Sequence, residues 1–151
     1  MVEKVKEERD SALSLKLFVV LSRAIQSIQK QVAKDIKKYG MNQTEFAVLE
    51  LLYHKGEQPI QKIGQKVLLA SSSITYVVDK LEKKEFLSRK ACPRDRRVTY
   101  AEITEEGKQF MNDVFPKHEA EIHEIFGGLT EEEKSEMIVQ LKKLGLYAES
   151  Q

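Results

Sequence analysis

The chain has 151 residues, of which 41% are hydrophobic and 32% charged, and its formal net charge is +1. This length is sufficient for one compact domain with a sizeable core, so no metal or disulfide staple is required. The single cysteine excludes an internal disulfide, and the charged N-terminal stretch is not followed by the apolar core of a signal peptide. We therefore expect one cytoplasmic domain, residues 1–151, that works in a reducing compartment.

The first predicted element is a long amphipathic helix from Leu13 to Tyr39. Apolar residues recur along it at intervals of three and four, and Gly40 ends it. Lys16, Arg23 and Gln26 interrupt the apolar stretch from Leu13 to Ile28, which we take to exclude a membrane span. A stripe of about seven turns is longer than a small neighbouring domain can cover. We therefore expect its N-terminal half to pack on a second subunit, with an intramolecular helix pair as the alternative.

Two shorter helices follow. Asn42 and Glu45 match a capping box, and the helix that they begin runs from Gln43 to about His54. Pro59 suits the first turn of a third helix, residues 59–67.

The fourth predicted helix is strongly amphipathic and follows a turn at residues 68–70. Ile74, Val77, Val78 and Leu81 recur at the i, i+3, i+4, i+7 spacing of a buried side. Together with the third helix it forms a helix-turn-helix, about residues 59–82.

Two short strands, Leu87 to Ala91 and Val98 to Ile103, come next. They enclose an arginine-rich turn, Pro93-Arg94-Asp95-Arg96. A helix-turn-helix followed by such a hairpin is the layout of a winged helix-turn-helix. We therefore predict a mostly α fold with a small two- or three-stranded β wing, about residues 87–103.

Two helices end the chain. Thr104 begins the first, and Pro116 inside it predicts a kink near residues 112–116. Gly127 and Gly128 end that helix, and Thr130 opens the last one through a second capping box. We expect the helices at residues 13–39 and 104–148 to form an N- and C-terminal dimerisation region.

The charges are unevenly distributed along the chain. Residues 60–97 carry a net charge of +6, whereas residues 98–151 carry −7. A basic stretch on one element is typical of nucleic-acid binding, and a solvated charged face is the alternative.

A family resemblance is found in the same stretch. Asp95-Arg96-Arg97, followed by Ile103-Thr104 and then Gly107, resembles the D-R-R-x5-[LI]-T-x-x-G signature of the MarR family of bacterial transcription regulators. The stretch 71–84 resembles that family's recognition helix, and the similarity extends from about Leu15 to Tyr147. Glu85 stands where the family usually has the glycine that ends this helix.

The resemblance implies a homodimeric regulator, in most cases a repressor, that binds a pseudo-palindromic operator in double-stranded DNA. It implies that the recognition helices enter successive major grooves and that the wings enter the flanking minor grooves. It also implies release by a small lipophilic or phenolic effector bound between the dimer bundle and the winged helix; constitutive binding without an effector is the alternative. Asp95 and Arg97 would form a pair that shapes the wing.

The residues expected to contact DNA share hydroxyl, phenol or cationic side chains on the helix-turn-helix and the wing, which suit base edges and phosphates. They are Ser71, Ser72, Ser73, Thr75, Tyr76, Lys80, Lys83, Arg94, Arg96 and Arg97. The alternatives are plain helix capping for the serines, an unpartnered exposed ring for Tyr76 and a solvated turn for the arginines. Asp79 also faces outward, and we expect it to orient Lys83 at i+4.

Cys92 at the base of the wing leaves two interpretations open. A lone cysteine is commonly an inert packed residue, but cationic neighbours favour the reactive thiolate, so a redox- or electrophile-responsive regulator is the alternative. Peroxide-sensing proteins that resemble this family carry their cysteine near the start of the first long helix, and this chain has none there.

No enzyme is expected. The three histidines, His54, His118 and His123, lack metal-ligand spacing, and no nucleophile–base pair or Gly-rich phosphate loop is present, so we predict no cofactor and no metal. A winged helix that binds protein is the rival interpretation. The charged faces argue against it, because the centres of interaction surfaces are depleted in charge.

Overall fold

A computed structural model describes residues 1–67 and 74–151 of the chain. The elements are α1 (Val2–Lys37), α2 (Gln43–Lys55), β1 (Gln58–Pro59), α3 (Ile60–Lys66), α4 (Ile74–Lys83), β2 (Leu87–Ala91), β3 (Thr99–Ile103), α5 (Glu105–Ile125) and α6 (Glu131–Glu149). The three strands form an antiparallel sheet in the order β1-β3-β2. The predicted fold class, mostly helical with a small β wing, is confirmed.

Helix α1 is 36 residues long and begins at Val2, eleven residues before the predicted start at Leu13. The prediction followed the apolar stripe and therefore missed the charged first turns. Glutamate, lysine and arginine are good helix formers, so these turns continue the helix without any apolar periodicity. Its buried residues, Asp35 and Ile36, both lie near its C-terminal end.

The argument from Lys16 and Arg23 against a membrane span was too strong. One window of 18 residues in α1 has a mean hydropathy of 1.3, and by length and composition alone such a helix could cross a membrane. The same composition suits a helix whose apolar surface is covered by another protein chain.

Helix α2 begins at the predicted capping box. The Glu45 backbone N–H donates to Asn42 Oδ1 at 2.8 Å, and the Asn42 N–H is 3.4 Å from Glu45 Oε1. Phe46 and Leu49 of this helix are almost fully buried. The capped end therefore fixes the start of a helix whose side chains form the centre of the core.

The helix-turn-helix consists of α3 and α4. Pro59 immediately precedes α3 and pairs with β3, which gives the wing its third strand. The turn at 68–70 and the predicted first residues of the fourth helix lie outside the described residues. From Ile74 onward α4 has the predicted buried side, with Val77, Val78 and Leu81 inside the core.

Glu85 follows α4 with a φ of 66°, in the left-handed region. The Phe86 N–H donates to the Leu81 carbonyl at 3.0 Å, which closes a Schellman-type helix end around Glu85. Glycine is the usual residue at such a position because it has no Cβ to strain the backbone. The chain thus keeps the left-handed turn without the glycine that suits it best.

Thr104 and Gly107 hold α5 against this turn. The Thr104 hydroxyl donates to the Glu85 carbonyl at 2.6 Å and accepts from the Gly107 N–H at 3.0 Å. A Cβ added to Gly107 would lie 2.2 Å from the Phe86 carbonyl oxygen, so only glycine permits this approach. These signature residues are therefore packing residues that join the recognition helix to α5.

The C-terminal helices follow the predicted boundaries. Helix α5 runs from Glu105 to Ile125 through Pro116, with Thr104 as its N-cap. The predicted kink at residues 112–116 stays a prediction. Helix α6 begins at a complete capping box between Thr130 and Glu133, and none of its residues is buried within the chain.

Candidate nucleic-acid interface

The outward face of α4 is exposed where it is described. Thr75 and Tyr76 both face solvent, and the Tyr76 side chain is 62% exposed. Ser71, Ser72 and Ser73, also predicted to contact DNA, lie outside the described residues. Within residues 35–67 and 74–118, Tyr76 is the one large apolar side chain that is exposed.

Lys80 lies beside this ring and is partly engaged within the chain. Its ammonium is 5.7 Å from the centroid of the Tyr76 ring and 3.7 Å from Glu45 Oε1. Lys83 is exposed. A cation over the ring face restrains the ring, so Lys80 acts on Tyr76 as well as presenting its own charge.

Glu45 anchors the end of α4 to the start of α2. It is buried, and its Oε2 is 2.8 Å from the Lys84 ammonium, which also donates to the Gly40 carbonyl at 3.1 Å. Burial alone would raise the pKa of Glu45, but the hydrogen bond and the charge of Lys84, with smaller contributions from Asn42 and Lys80, lower it below the usual value. The carboxylate is therefore ionised at neutral pH.

Asp79 does not pair with Lys83 as predicted. Its carboxylate accepts a hydrogen bond from Arg89 of β2 at 2.5 Å, and Glu82 accepts from the same guanidinium at 2.7 Å. An exposed i, i+4 pair is weak, whereas an arginine fork can bind two carboxylates at once. The sequence analysis overlooked Arg89, although two carboxylates three residues apart on α4 face the strand that carries it.

The tip of the wing presents three arginines. Arg94 and Arg96 are exposed, and the Arg97 side chain is 91% exposed. Asp95 Oδ1 accepts from the Arg97 backbone N–H at 3.0 Å and from its Nε at 3.2 Å. The backbone bond first, and the side-chain bond second, lower the pKa of Asp95 below its usual value.

A contact at Gln61 joins the tip of the wing to α3. The Gln61 side-chain amide of α3 donates to the Arg97 carbonyl at 3.3 Å. Asp95 and Gln61 thus hold the Arg97 backbone from two sides while its guanidinium extends into solvent.

Cys92 is half-buried and free at the base of the wing. It lines a shallow groove with Lys90, Arg94 and Tyr100, and its backbone N–H donates to the Val98 carbonyl at 3.0 Å. Its backbone therefore closes the hairpin.

The histidines are not brought together. Within the described residues there is no group of three or more His, Cys, Asp or Glu side chains that could hold a metal ion. His118 instead joins α5 to α1, with its Nδ1 2.9 Å from the buried Asp35 carboxylate and its ring 4.6 Å from that of Phe46. Tyr39 donates to the same carboxylate at 3.0 Å, and burial together with Asp35 raises the pKa of Tyr39 to about 12.

Two kinds of depression lie outside the wing. A small cleft between α1, α2 and α5 is lined by Val32, Phe46, His118 and other side chains. Longer apolar grooves run along α1, α5 and α6, where Leu17 and Ile28 of α1 face Met137 and Leu141 of α6.

Comparison with known proteins places this geometry among DNA-binding regulators. Residues 41–99 match the model of the MarR family. The chain is 63% identical over 135 residues to the HTH-type transcriptional regulator MhqR of Bacillus subtilis, an alignment that covers 89% of this chain and 93% of MhqR.

Solved structures share the fold. Sco3205 of Streptomyces coelicolor, a MarR family transcriptional regulator in complex with DNA, superposes with a TM-score of 0.80 at 19% identity, covering 89% of this chain and 86% of Sco3205. BpsR of Bordetella bronchiseptica, whose DNA binding is regulated by 6-hydroxynicotinic acid, superposes with a TM-score of 0.76 at 22% identity, covering 85% of this chain and 92% of BpsR.

Proposed function

Because the chain belongs to the MarR family of transcriptional regulators, we propose that it is a cytoplasmic repressor that binds a pseudo-palindromic operator as a homodimer. Its relatives are DNA-binding regulators and not enzymes. Beyond the DNA binding that these relatives share, we propose a two-fold symmetric operator, a homodimer, repression of transcription and release by a small effector.

The exposed ring of Tyr76 carries the proposal. Every other Phe and Tyr that the structure describes in residues 35–118 is buried or half-buried, yet this one is 62% exposed on the outward face of α4. The surrounding stretch, residues 60–97, has a net charge of +6. An exposed aromatic ring on a basic helix suits a major groove, where base edges and thymine methyl groups are accessible.

The proposed contacts fall into two groups. Ser71, Ser72, Ser73, Thr75 and Tyr76, with Lys80 and Lys83 beside them, would face a major groove and its phosphates. Arg94, Arg96 and Arg97 would lie along the adjacent minor groove, whose negative potential attracts arginine when the groove is narrow. Asp95 would hold the wing in the shape that this requires.

The apolar flanking helices support the homodimer. Leu17 of α1 and Leu141 of α6 are 52% and 40% exposed although they line one groove. A second copy of the chain would cover this surface, and its two-fold symmetry would match that of the operator.

The small cleft beside His118 is the proposed effector site. It lies between the helices that we assign to the dimer and the winged helix, and its lining combines apolar side chains with the polar tip of His118. A lipophilic or phenolic compound suits such a lining. Regulation of BpsR by a hydroxylated aromatic acid is consistent with this class of effector.

Selection of bound fragments from the source genome tests the proposal. We expect the fragments to share an inverted repeat with half-sites roughly 10 base pairs apart, or a multiple of that spacing, as successive major grooves require. A scrambled repeat of the same composition is the control. Absence of any enriched sequence, or enrichment of a single unpaired half-site, would contradict the proposed operator. Deletion of the gene should then raise transcription of the genes next to these fragments.

A further inference from the structure

Two carboxylates lie on the face of α4 that the proposed function directs toward DNA. Asp79 is one turn from Thr75 and Tyr76 on the same side of the helix, and its side chain is 53% exposed. Glu82 lies three residues further on and is 42% exposed. Negative charge at this place opposes the approach of a polyanion, most strongly at low salt.

One arginine binds both of these carboxylates. Arg89 of β2 places Nη2 2.5 Å from Asp79 Oδ1 and Nη1 2.7 Å from Glu82 Oε1. Its side chain is only 29% exposed, so the guanidinium is enclosed more than either of its partners. The fixed fork of the guanidinium suits two acceptors at once, which a lysine ammonium does not.

We propose that Arg89 is a positioning residue for DNA binding that acts through Asp79 and Glu82. It masks their negative charge on the reading face of α4 and fixes the wing hairpin against that helix. With Arg89 present the three side chains carry a net charge of −1, and without it they carry −2. The inference rests on the proposed function, because it takes this face of α4 as the one that meets DNA.

Masking differs from two simpler roles of Arg89. A purely structural arginine would change the fraction of folded protein and leave the salt dependence of DNA binding unchanged. Even that change in folding would be small, because exposed ion pairs add little to folding stability. An arginine that itself binds a phosphate would be needed whether or not the carboxylates are present. Removal of the carboxylates in the absence of Arg89 therefore separates masking from direct contact.

The experiment compares four proteins: the parent, Arg89→Gln, Asp79→Asn/Glu82→Gln, and the triple variant. Each is titrated with operator DNA and with scrambled DNA at several salt concentrations. We expect Arg89→Gln to weaken binding to both DNAs about tenfold at low salt, with a difference that shrinks as salt screens the carboxylates. The double variant should bind both about tenfold more tightly, and the triple variant should stay within about threefold of the double variant, because Arg89 then has no carboxylate to mask.

Lys90→Gln is the matched control. It removes the same charge from the next residue of β2, where Lys90 is paired with Glu57 at 3.5 Å. Lys90→Gln should cost the same affinity in the Asp79→Asn/Glu82→Gln background as in the parent, because the two ion pairs are separate.

Each other outcome has a distinct meaning. A triple variant about tenfold weaker than the double variant shows direct DNA contact by Arg89 and overturns masking, as does an Arg89→Gln protein with the affinity of the parent. If Arg89→Gln does not fold, the double variant decides, and an affinity and salt slope equal to those of the parent overturn the inference. A parent that binds no genomic fragment overturns the proposed function as well, whereas a parent that binds while the variants fail this pattern overturns masking alone.

Discussion

The middle of the chain buries its apolar residues, whereas the two ends of the chain expose many of theirs. We call residues 35–118 the winged-helix lobe and residues 1–34 and 119–151 the flanking helices. Among the described residues, every buried one lies in the lobe. Among the same residues, every exposed large apolar side chain except Tyr76 lies in the flanking helices. The lobe therefore has a core of its own, whereas the flanking helices expose the kind of surface that another chain covers.

This difference suits a molecule in which the lobe binds DNA and the flanking helices form the proposed dimer. The lobe needs no partner to hold α4, because α2 and the Glu45 anchor already fix it. The flanking helices add no buried residue to that core, and in the proposed homodimer a second copy covers their apolar surface. Changes in the flanking helices should therefore abolish assembly and leave the lobe folded, while changes on the lobe surface should alter binding and leave assembly intact.

The largest expected effect comes from Leu141→Glu in the groove between α1 and α6. A carboxylate in an apolar interface costs several kcal/mol unless it is paired, so the variant should be monomeric. Its operator affinity should fall by at least about 100-fold, because one half-site replaces two. Sedimentation and operator titration measure both effects.

Lys142→Glu is the control for added charge, since it places the same side chain one residue further along α6 and changes the net charge by −2, against −1 for Leu141→Glu. It should stay dimeric and keep near-parent operator binding. Equal loss of assembly in both variants would show that charge on α6, and not burial of Leu141, decides the result.

A second contrast lies within the lobe, between Tyr76 on α4 and Arg96 on the wing. Tyr76→Ala should cost about 1–3 kcal/mol on the best operator, roughly doubled in the dimer, and relax preference at particular base pairs. Its salt slope should hardly change. Arg96→Ala should weaken binding to many sequences and reduce the slope by about one unit for each charge lost.

Titrations on operator and scrambled DNA at several salt concentrations separate the two. Both side chains are exposed, so neither variant should lose folding stability. If Arg96→Ala keeps the affinity and slope of the parent, the wing is not a DNA element, and the protein-interaction interpretation gains support.

A substitution at Glu45 tests whether contacts within the lobe stabilise α4. Glu45→Gln keeps the capping box but removes the carboxylate charge that pairs with Lys84, and we expect a loss of about 1–2 kcal/mol in the free energy of unfolding at neutral pH. The pKa of Glu45 is lowered in the folded state. Its contribution is therefore present above the unfolded pKa of about 4.5 and is lost as the pH falls through the folded value.

Denaturant unfolding of both proteins between neutral and acidic pH measures this difference, which should shrink on acidification below pH about 4.5. Glu57→Gln is the control, because its pair with Lys90 is exposed on both sides. A difference between parent and Glu45→Gln that is constant over this pH range would show that the ion pair contributes nothing.

The smallest expected effect concerns the helix end at Glu85. Glu85→Gly should raise the free energy of unfolding by about 0.5–1 kcal/mol, because glycine relieves the strain of a φ of 66°. Lys83→Gly, inside the last turn of α4, should lower it by a similar amount. Thermal unfolding of the two variants, two residues apart, should thus shift in opposite directions.

The sequence predicts the elements better than the side-chain partners. The capping boxes at Asn42 and Thr130 and the buried side of α4 depend on neighbours within four residues, so local pattern suffices. The pairing of Arg89 with Asp79 depends on how the hairpin folds back on α4, and no local spacing encodes that distance. The start of α1 was missed for a different reason, since a charged helix has no apolar periodicity.

The candidate DNA-binding site likewise has features that local sequence predicts and features that it does not. Exposure of Tyr76 and the exposed tip at Arg96 follow from helix and hairpin periodicity. The involvement of Lys80 with Glu45 and the Tyr76 ring requires the packing of α2 on α4, which only the three-dimensional structure gives.

The molar mass of the protein in solution tests the division between a self-sufficient lobe and partner-dependent flanking helices most directly. Light scattering at micromolar concentration should give about twice the 17.4 kDa mass of the chain, and the same two chains should be found on one operator duplex. A clean monomer at that concentration would contradict both the assigned dimer surface and the pseudo-palindromic operator.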